Sequence, residues 1–134
     1  MKNLILDALY RNMLLTASVQ PSSDDLLAWI GIYRIDLALN KGSDPYSEVL
    51  RERASNYIRN NNLQVPSGAD SIFRIRFFEM EKDKASKNIY FCEGDLLNKK
   101  NFNVYSEEEI INVLSNFNLK VSNLGCAWKT NYPI

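Results

Sequence analysis

The first sixty residues alternate apolar and polar positions with a helical period. In residues 3–19, Leu6, Leu9, Tyr10, Met13 and Ala17 fall at helical spacing, and Asn3, Asp7, Arg11 and Ser18 fall on the opposite stripe. Pro21 closes this predicted helix. Ser22, Asp24 and Asp25 then supply a cap and negative charge for the start of a second. Residues 23–40 are apolar nearly all round, with Leu26, Leu27, Trp29, Ile30, Ile32 and Ile35 among them, which predicts a helix central to the core. Asn40-Lys41-Gly42 gives it a stop. A third helix is predicted from Asp44 as cap and Pro45 at the first helical position, with Val49, Leu50, Ala54, Tyr57 and Ile58 on one face through residue 59. Asn60-Asn61-Asn62 ends it, because asparagine tolerates the left-handed conformation.

After a connection over residues 62–70 the period falls to two. Residues 71–81 put Phe73, Ile75 and Phe77 on one face, and Ile72, Arg74, Arg76, Phe78 and Met80 on the other. A polar turn at 82–86 and a second strand at 87–93 complete a predicted antiparallel hairpin. Residues 94–103 read as a polar loop. Ser106 and Glu109 form a capping box for a helix carrying Ile110, Ile111, Leu114 and Phe117, which Asn118 ends. A last strand is expected at 119–122, resuming at 126–129. The predicted fold is therefore α+β: three N-terminal helices, then a β-hairpin, a helix and a C-terminal strand forming a small sheet. One domain spans 1–134, with a helical part over 1–62 and an α/β part over 70–134.

Length agrees with a single domain: 134 residues is enough to bury a core without metal or disulfide staples. Composition excludes more than it suggests. There are 16 basic and 16 acidic residues, and no stretch of the chain concentrates either sign. A domain that lives on phosphate contacts usually concentrates Lys and Arg. Two cysteines, Cys92 and Cys126, do not make a secreted disulfide framework. The apolar N-terminal stretch is broken by Asp7, Arg11 and Asn12, so it reads as an amphipathic helix rather than a leader. No apolar run reaches the ~18 residues of a membrane span. A cytoplasmic protein is expected.

Histidine is absent. That removes Ser-His-Asp and Cys-His nucleophilic machinery and histidine zinc sites. The five glycines are isolated, so no phosphate-cradling loop exists. Glu79, Glu81, Asp83, Glu93 and Asp95 are the carboxylates placed to meet across the hairpin, and a solvated hairpin end accounts for them. The stretch Leu50-Arg51-Glu52-Arg53-Ala54-Ser55-Asn56-Tyr57-Ile58-Arg59-Asn60 resembles a helix found in OTU-type cysteine proteases; without histidine the catalytic pair is missing, and the resemblance implies no activity. No enzyme, no cofactor and no metal is expected.

What remains is an apolar and arginine excess on elements that should also meet water. The hairpin offers Arg74, Arg76, Phe78, Met80 and Tyr90, and the tail offers Trp128 and Tyr132. Trp, Tyr and Arg dominate binding hot spots. These seven are the candidate partner-binding residues. The expected function is a small non-catalytic inhibitor of the toxin-immunity or phage-encoded kind. It would cover the active surface of another protein, a toxin or an enzyme. Two alternatives stand beside it: a nucleic-acid-associated regulatory module using Arg74, Arg76 and Phe78 of the basic-aromatic hairpin, and an accessory subunit of a larger enzyme. Alternation weighs against the first, because Phe73 and Phe77 point away from Arg74 and Arg76. Nucleic acid and membrane are not the expected partners.

Overall fold

The computed structural model describes residues 4–37, 45–86, 93–127, 130, 132 and 133. A short 3-10 helix, Leu6–Arg11, precedes β1 (Leu15–Val19) and β2 (Leu26–Asp36); then come α1 (Pro45–Asn60), β3 (Ser71–Glu81), α2 (Lys82–Ser86), β4 (Leu97–Val104) and α3 (Glu107–Asn116). The four strands form one antiparallel sheet in the order β1-β2-β3-β4. β2 and β3 pair along their whole lengths, from Leu26 opposite Glu81 to Asp36 opposite Ser71.

This architecture corrects the expectation of three N-terminal helices. After the short 3-10 helix comes a β-hairpin, and of the three predicted N-terminal helices only the third forms, as α1. The first prediction fails at Asn12, whose left-handed backbone (φ 61°) stops a 3-10 turn and leaves the chain to extend into β1. The helix expected over 23–40 rests on a segment apolar nearly all round. A central strand covered on both faces produces the same pattern. Trp29, Ile30, Ile32, Tyr33 and Ile35 are the aromatic and β-branched types that prefer the pleated conformation, and they decide the outcome. The expected turn at 82–86 is the short helix α2, and the expected loop at 94–103 contains the edge strand β4. The strand expected at 87–93 lies outside the described residues up to 92, and from Glu93 the backbone is a 3-10 turn. At 119–122 a 3-10 turn, Val121–Asn123, replaces the predicted strand. Gly125 then meets β1 through paired bonds of 2.8 Å between its backbone and that of Thr16, and residues 128 and 129 of the strand expected to resume at 126–129 lie outside the described residues.

The helix ends follow their sequence signals. Leu63 N–H reaches back to the Ile58 carbonyl at 3.0 Å across a left-handed Asn62, and Leu119 N–H does the same to Leu114 across Asn118. Ser106 Oγ accepts from Glu109 N–H at 3.3 Å, while the Glu109 carboxylate accepts from Tyr105 N–H rather than from Ser106.

The sheet has two unlike faces. On the first, Ile30, Ile32, Phe73 and Ile75 are closed under Leu6, Leu9, Ile110 and Leu114 from the N-terminal 3-10 helix and α3. Each such side chain contributes ~1.5–3 kcal/mol by leaving water. The second face carries Trp29, Gly31 and Tyr33 of β2 opposite Phe78, Arg76 and Arg74 of β3. Its lower end is a smaller apolar cluster of Trp29, Phe78 and Met80. Among the described residues no helix is long and apolar enough to cross a membrane.

Candidate functional site

The second face is crossed by two unrelated elements. α1 touches it through Tyr57, whose hydroxyl donates to Asn103 Oδ1 of β4 and whose ring lies 5.7 Å from the Arg74 guanidinium carbon. The C-terminal segment passes round the β1 edge and returns over Gly31. It is held by Trp29 Nε1, which donates to the Thr130 carbonyl at 2.8 Å, and by a 2.6 Å bond between the hydroxyls of Thr16 and Thr130. Tyr132 then packs edge-on against Phe78 with ring centroids 5.4 Å apart. Its hydroxyl lies where a side chain on Gly31 would go, 2.6 Å from the place of a Cβ. Glycine at 31 is what lets the tyrosine approach the sheet.

Beside Tyr132 and Pro133 the same face carries a hollow of about 310 Å³. Gly31 and Tyr33 of β2, Arg74, Arg76 and Phe78 of β3, and Tyr132 are part of its lining, and Glu93 and Leu96 close its rim. Tyr33 also borders a second hollow of about 550 Å³, which separates β2 from α1 and is lined by Arg34, Tyr46, Leu50 and Tyr57.

The three arginines nearby differ in how their charge is met. Arg34 has Asp36 at 3.2 Å and the Ser71 hydroxyl at 2.6 Å. Arg76 pairs with Glu93, which also takes Lys99 at 3.1 Å. Arg74 donates to the Tyr33 hydroxyl and sits 5.5 Å from the centre of that ring, but among the described residues no carboxylate pairs with it. Its Nε is buried without a hydrogen-bond partner. A half-buried cation without a counter-ion is costly unless something else supplies the negative charge.

Titration follows this geometry. Burial lifts the Tyr132 hydroxyl above its ordinary value, with Arg76 and Arg74 pulling the other way. Burial likewise raises Tyr57, against the pull of Arg74. Hydrogen bonds from Arg76 and then Lys99 hold the Glu93 carboxyl below its ordinary value.

The structure brings four of the seven candidate residues, Arg74, Arg76, Phe78 and Tyr132, to one hollow. Met80 is fully buried in the apolar cluster and presents nothing to a partner. Phe78 is 1% exposed, so it walls the hollow rather than standing out from it. Tyr90 and Trp128 lie outside the described residues, as does the Asp44 cap. Tyr33 was missed because its segment was assigned a helix; in a strand, its place opposite Arg74 follows from the alternation. Gly31 was missed for the same reason.

Of the carboxylates considered as metal donors, Glu79, Glu93 and Asp95 are engaged with separate partners. Glu79, 2% exposed, accepts from Ser22 N–H at 2.6 Å, Ser22 Oγ at 2.8 Å and Asn98 Nδ2 at 2.6 Å. Asn98 holds φ 52° at the point where the β3–β4 register shifts, so this carboxylate ties a β-bulge to the β1–β2 turn. Asp95 pairs with Lys84 at 3.1 Å.

No protein-family model matches this chain, and comparison with curated proteins and with solved structures finds no match.

Proposed function

We propose that this chain is a non-catalytic protein-binding module, an inhibitor of the toxin-immunity or phage-encoded kind that covers a partner's active surface. The observation that supports this is the second face of the sheet. Arg74, Arg76, Tyr33 and Tyr132 are gathered there around an open hollow, where a simple core would bring apolar side chains together. Arginine and tyrosine in a partly desolvated recess are the residue types that carry most binding energy in protein interfaces. α1, at the edge of the same face, adds Tyr46 and Val49 as large exposed side chains. An arginine held by aromatic rings is also pre-organised, which reduces the entropy lost on docking.

The nucleic-acid alternative draws less support. Base stacking needs an exposed ring face beside the arginines. Phe78 is closed off by Tyr132 and Trp29, and Arg76 is occupied by Glu93.

The test is affinity capture with the full chain and two sets of variants. Arg76→Gln and Tyr132→Ala alter the proposed face; Ile111→Ala and Glu108→Gln alter the exposed side of α3. The expected result is a protein retained by the wild type and the α3 variants and lost by the face variants. Its activity should fall in proportion to added chain, reaching zero near equal stoichiometry. A captured protein that stays active when saturated, or one indifferent to the face variants, would overturn the reading.

A further inference from the structure

The hollow has a charge and a shape, and together they select a ligand class. The charged residues on its lining are Arg74, Arg76 and Glu93, so two positive groups against one negative leave a single positive charge on the lining itself, with Lys99 reaching Glu93 from outside it. That charge belongs to Arg74, which has no carboxylate partner among the described residues. The remaining walls are largely apolar or aromatic: Leu14, Phe78, Leu96, Tyr132 and Pro133. A site with one uncompensated charge matches a monoanion, and a doubly charged phosphate would exceed it. Apolar walls match an anion carried on a hydrocarbon stem. One such group already lies at the rim: the Glu93 carboxylate sits on Arg76, showing that this corner accepts planar carboxylate geometry from a side chain.

We propose that the hollow bounded by Gly31, Arg74, Arg76 and Tyr132 is a carboxylate site, and that an acidic side chain of the partner protein occupies it. The identity of the occupant rests on the protein-binding reading above. The carboxylate meets the outer nitrogens of Arg74 and the Tyr132 hydroxyl, while its methylene stem lies against Phe78 and Leu96. Glu93 sets the upper limit on charge. While it holds Arg76 the site takes one negative charge, and once it is removed the site should take two.

The test is an NMR titration of the full ¹⁵N-labelled chain. The probes are 3-phenylpropionate, its neutral amide 3-phenylpropanamide, and inorganic phosphate. The expected result is a saturable shift of the Arg74 Nε–H and Gly31 amide signals with the carboxylate alone. Arg74→Gln should weaken binding about tenfold or more, the loss of one charge-assisted hydrogen bond. Because Arg74 packs between two tyrosine rings, that variant can fail for structural reasons, so Glu93→Gln is the second arm. Glu93 is largely exposed, and its replacement frees Arg76. It should tighten 3-phenylpropionate several-fold and give phosphate measurable affinity for the first time.

Equal shifts with the amide would show an apolar hollow without charge selection and overturn the proposal. So would phosphate binding better than the carboxylate in the wild type, or Glu93→Gln leaving both affinities unchanged. The two readings separate cleanly. A chain whose partner capture depends on this face, but whose hollow ignores 3-phenylpropionate, keeps the protein-binding role and loses the carboxylate site. A hollow that binds the probe, on a chain whose capture is indifferent to the face variants, does the reverse. With both in place, 3-phenylpropionate should compete with the captured partner, and a failure to compete would remove the partner's acidic side chain as occupant.

Discussion

Phe73 and Arg74 are neighbours on one strand and belong to two different kinds of environment. Phe73 faces the side of the sheet where the N-terminal 3-10 helix and α3 close over Ile30, Ile32 and Ile75, with the Arg34 guanidinium kept to the edge of that cluster, over the Tyr10 ring. Arg74 faces the side where one helix and a C-terminal segment each cover part of the sheet and a recess stays open beside Tyr132. The first face is made by burial, which is non-directional and tolerates only side chains that fill space. The second is held by directional contacts: Trp29 to Thr130, Tyr57 to Asn103, Tyr33 to Arg74 and the Tyr132 ring over Gly31. Directional contacts fix positions without closing the surface. A chain that needs both a stable fold and an adaptable surface can therefore assign them to opposite faces of one sheet.

The contrast is sharpest in stability. Phe73→Ala removes a ring that is almost completely buried in the closed cluster and that packs edge-on with Tyr10 at 5.9 Å. It should cost ~3–5 kcal/mol, the range for emptying a core aromatic site. That is a large share of the ~5–15 kcal/mol available to a domain. Urea denaturation at neutral pH measures it. A loss below ~1 kcal/mol would mean that the two faces do not differ in the way described.

Glu79 sits at the end of the sheet between the β1–β2 turn and the β-bulge, and its test is pH. Burial alone would raise its carboxyl, but three donors from Ser22 and Asn98 outweigh that and hold it below its ordinary value. In the unfolded chain a glutamate titrates near ~4.3. A depressed folded value means that the stabilisation is complete above that point and is lost as pH falls through the folded value. Glu79→Gln should therefore cost ~1.5–3 kcal/mol near neutral pH, as for hydrogen bonds to a charged group. The gap to wild type should shrink as the pH falls below that unfolded value. A gap of constant size across that range would show that the stabilisation is not linked to this proton.

These residues also mark what could be read from the chain and what could not. The split of residues 71–81 into a Phe73–Ile75–Phe77 face and an Arg74–Arg76–Phe78 face follows from a period of two, and the register bears it out. The ends of α1 and α3 follow from Asn62 and Asn118, because left-handed asparagine closes a helix through local bonds that need no tertiary partner. β2 was not legible as a strand. Its apolar run satisfies helical and strand periods equally, and only its pairing with β3 settles which forms. Once β2 was assigned a helix, Tyr33 and Gly31 had no place beside the arginines. Glu79 was beyond reach for another reason. Its partners, Ser22 and Asn98, lie far away in sequence on a turn and a bulge, and no local pattern announces such a meeting.

Gly31→Ala tests the directional face with a single methyl group. A Cβ at 31 would lie 2.6 Å from the Tyr132 hydroxyl oxygen and 2.9 Å from Cζ, so the ring must move. The sheet itself need not, since β2 holds Gly31 in extended pairing between Thr16 and Arg76. The expected cost is ~1–3 kcal/mol, as for other overpacked sites. The Tyr132 ring resonances should shift while the Phe73 ring resonances stay in place. Shifts at both rings would show that the two faces are coupled through the sheet.

Arg76→Gln should have the smallest effect on stability and a large one on binding. Arg76 is 24% exposed at its side chain and its partner Glu93 is 61% exposed, so their ion pair is a surface pair. Such pairs are worth ~0–1 kcal/mol, because water and salt screen the attraction and two long side chains lose freedom in forming it. Glutamine keeps the first two methylenes of the stem and gives up the guanidinium that lies 5.6 Å from the centre of the Phe78 ring, a contact worth little at so exposed a site. The unfolding midpoint should therefore stay within the shift that ~0.5 kcal/mol produces, and the Phe78–Tyr132 contact should persist in the NMR spectrum. Partner affinity, by contrast, should fall by about tenfold or more if the arginine is a hot spot. The ratio of the two effects matters more than either alone. A residue of the closed face loses stability first and binding only as a consequence, whereas Arg76 should lose binding at constant stability. If Arg76→Gln instead destabilised the chain as Phe73→Ala does, the second face would be an ordinary core with a polar seam, and the partner-binding surface would have to be sought on α1.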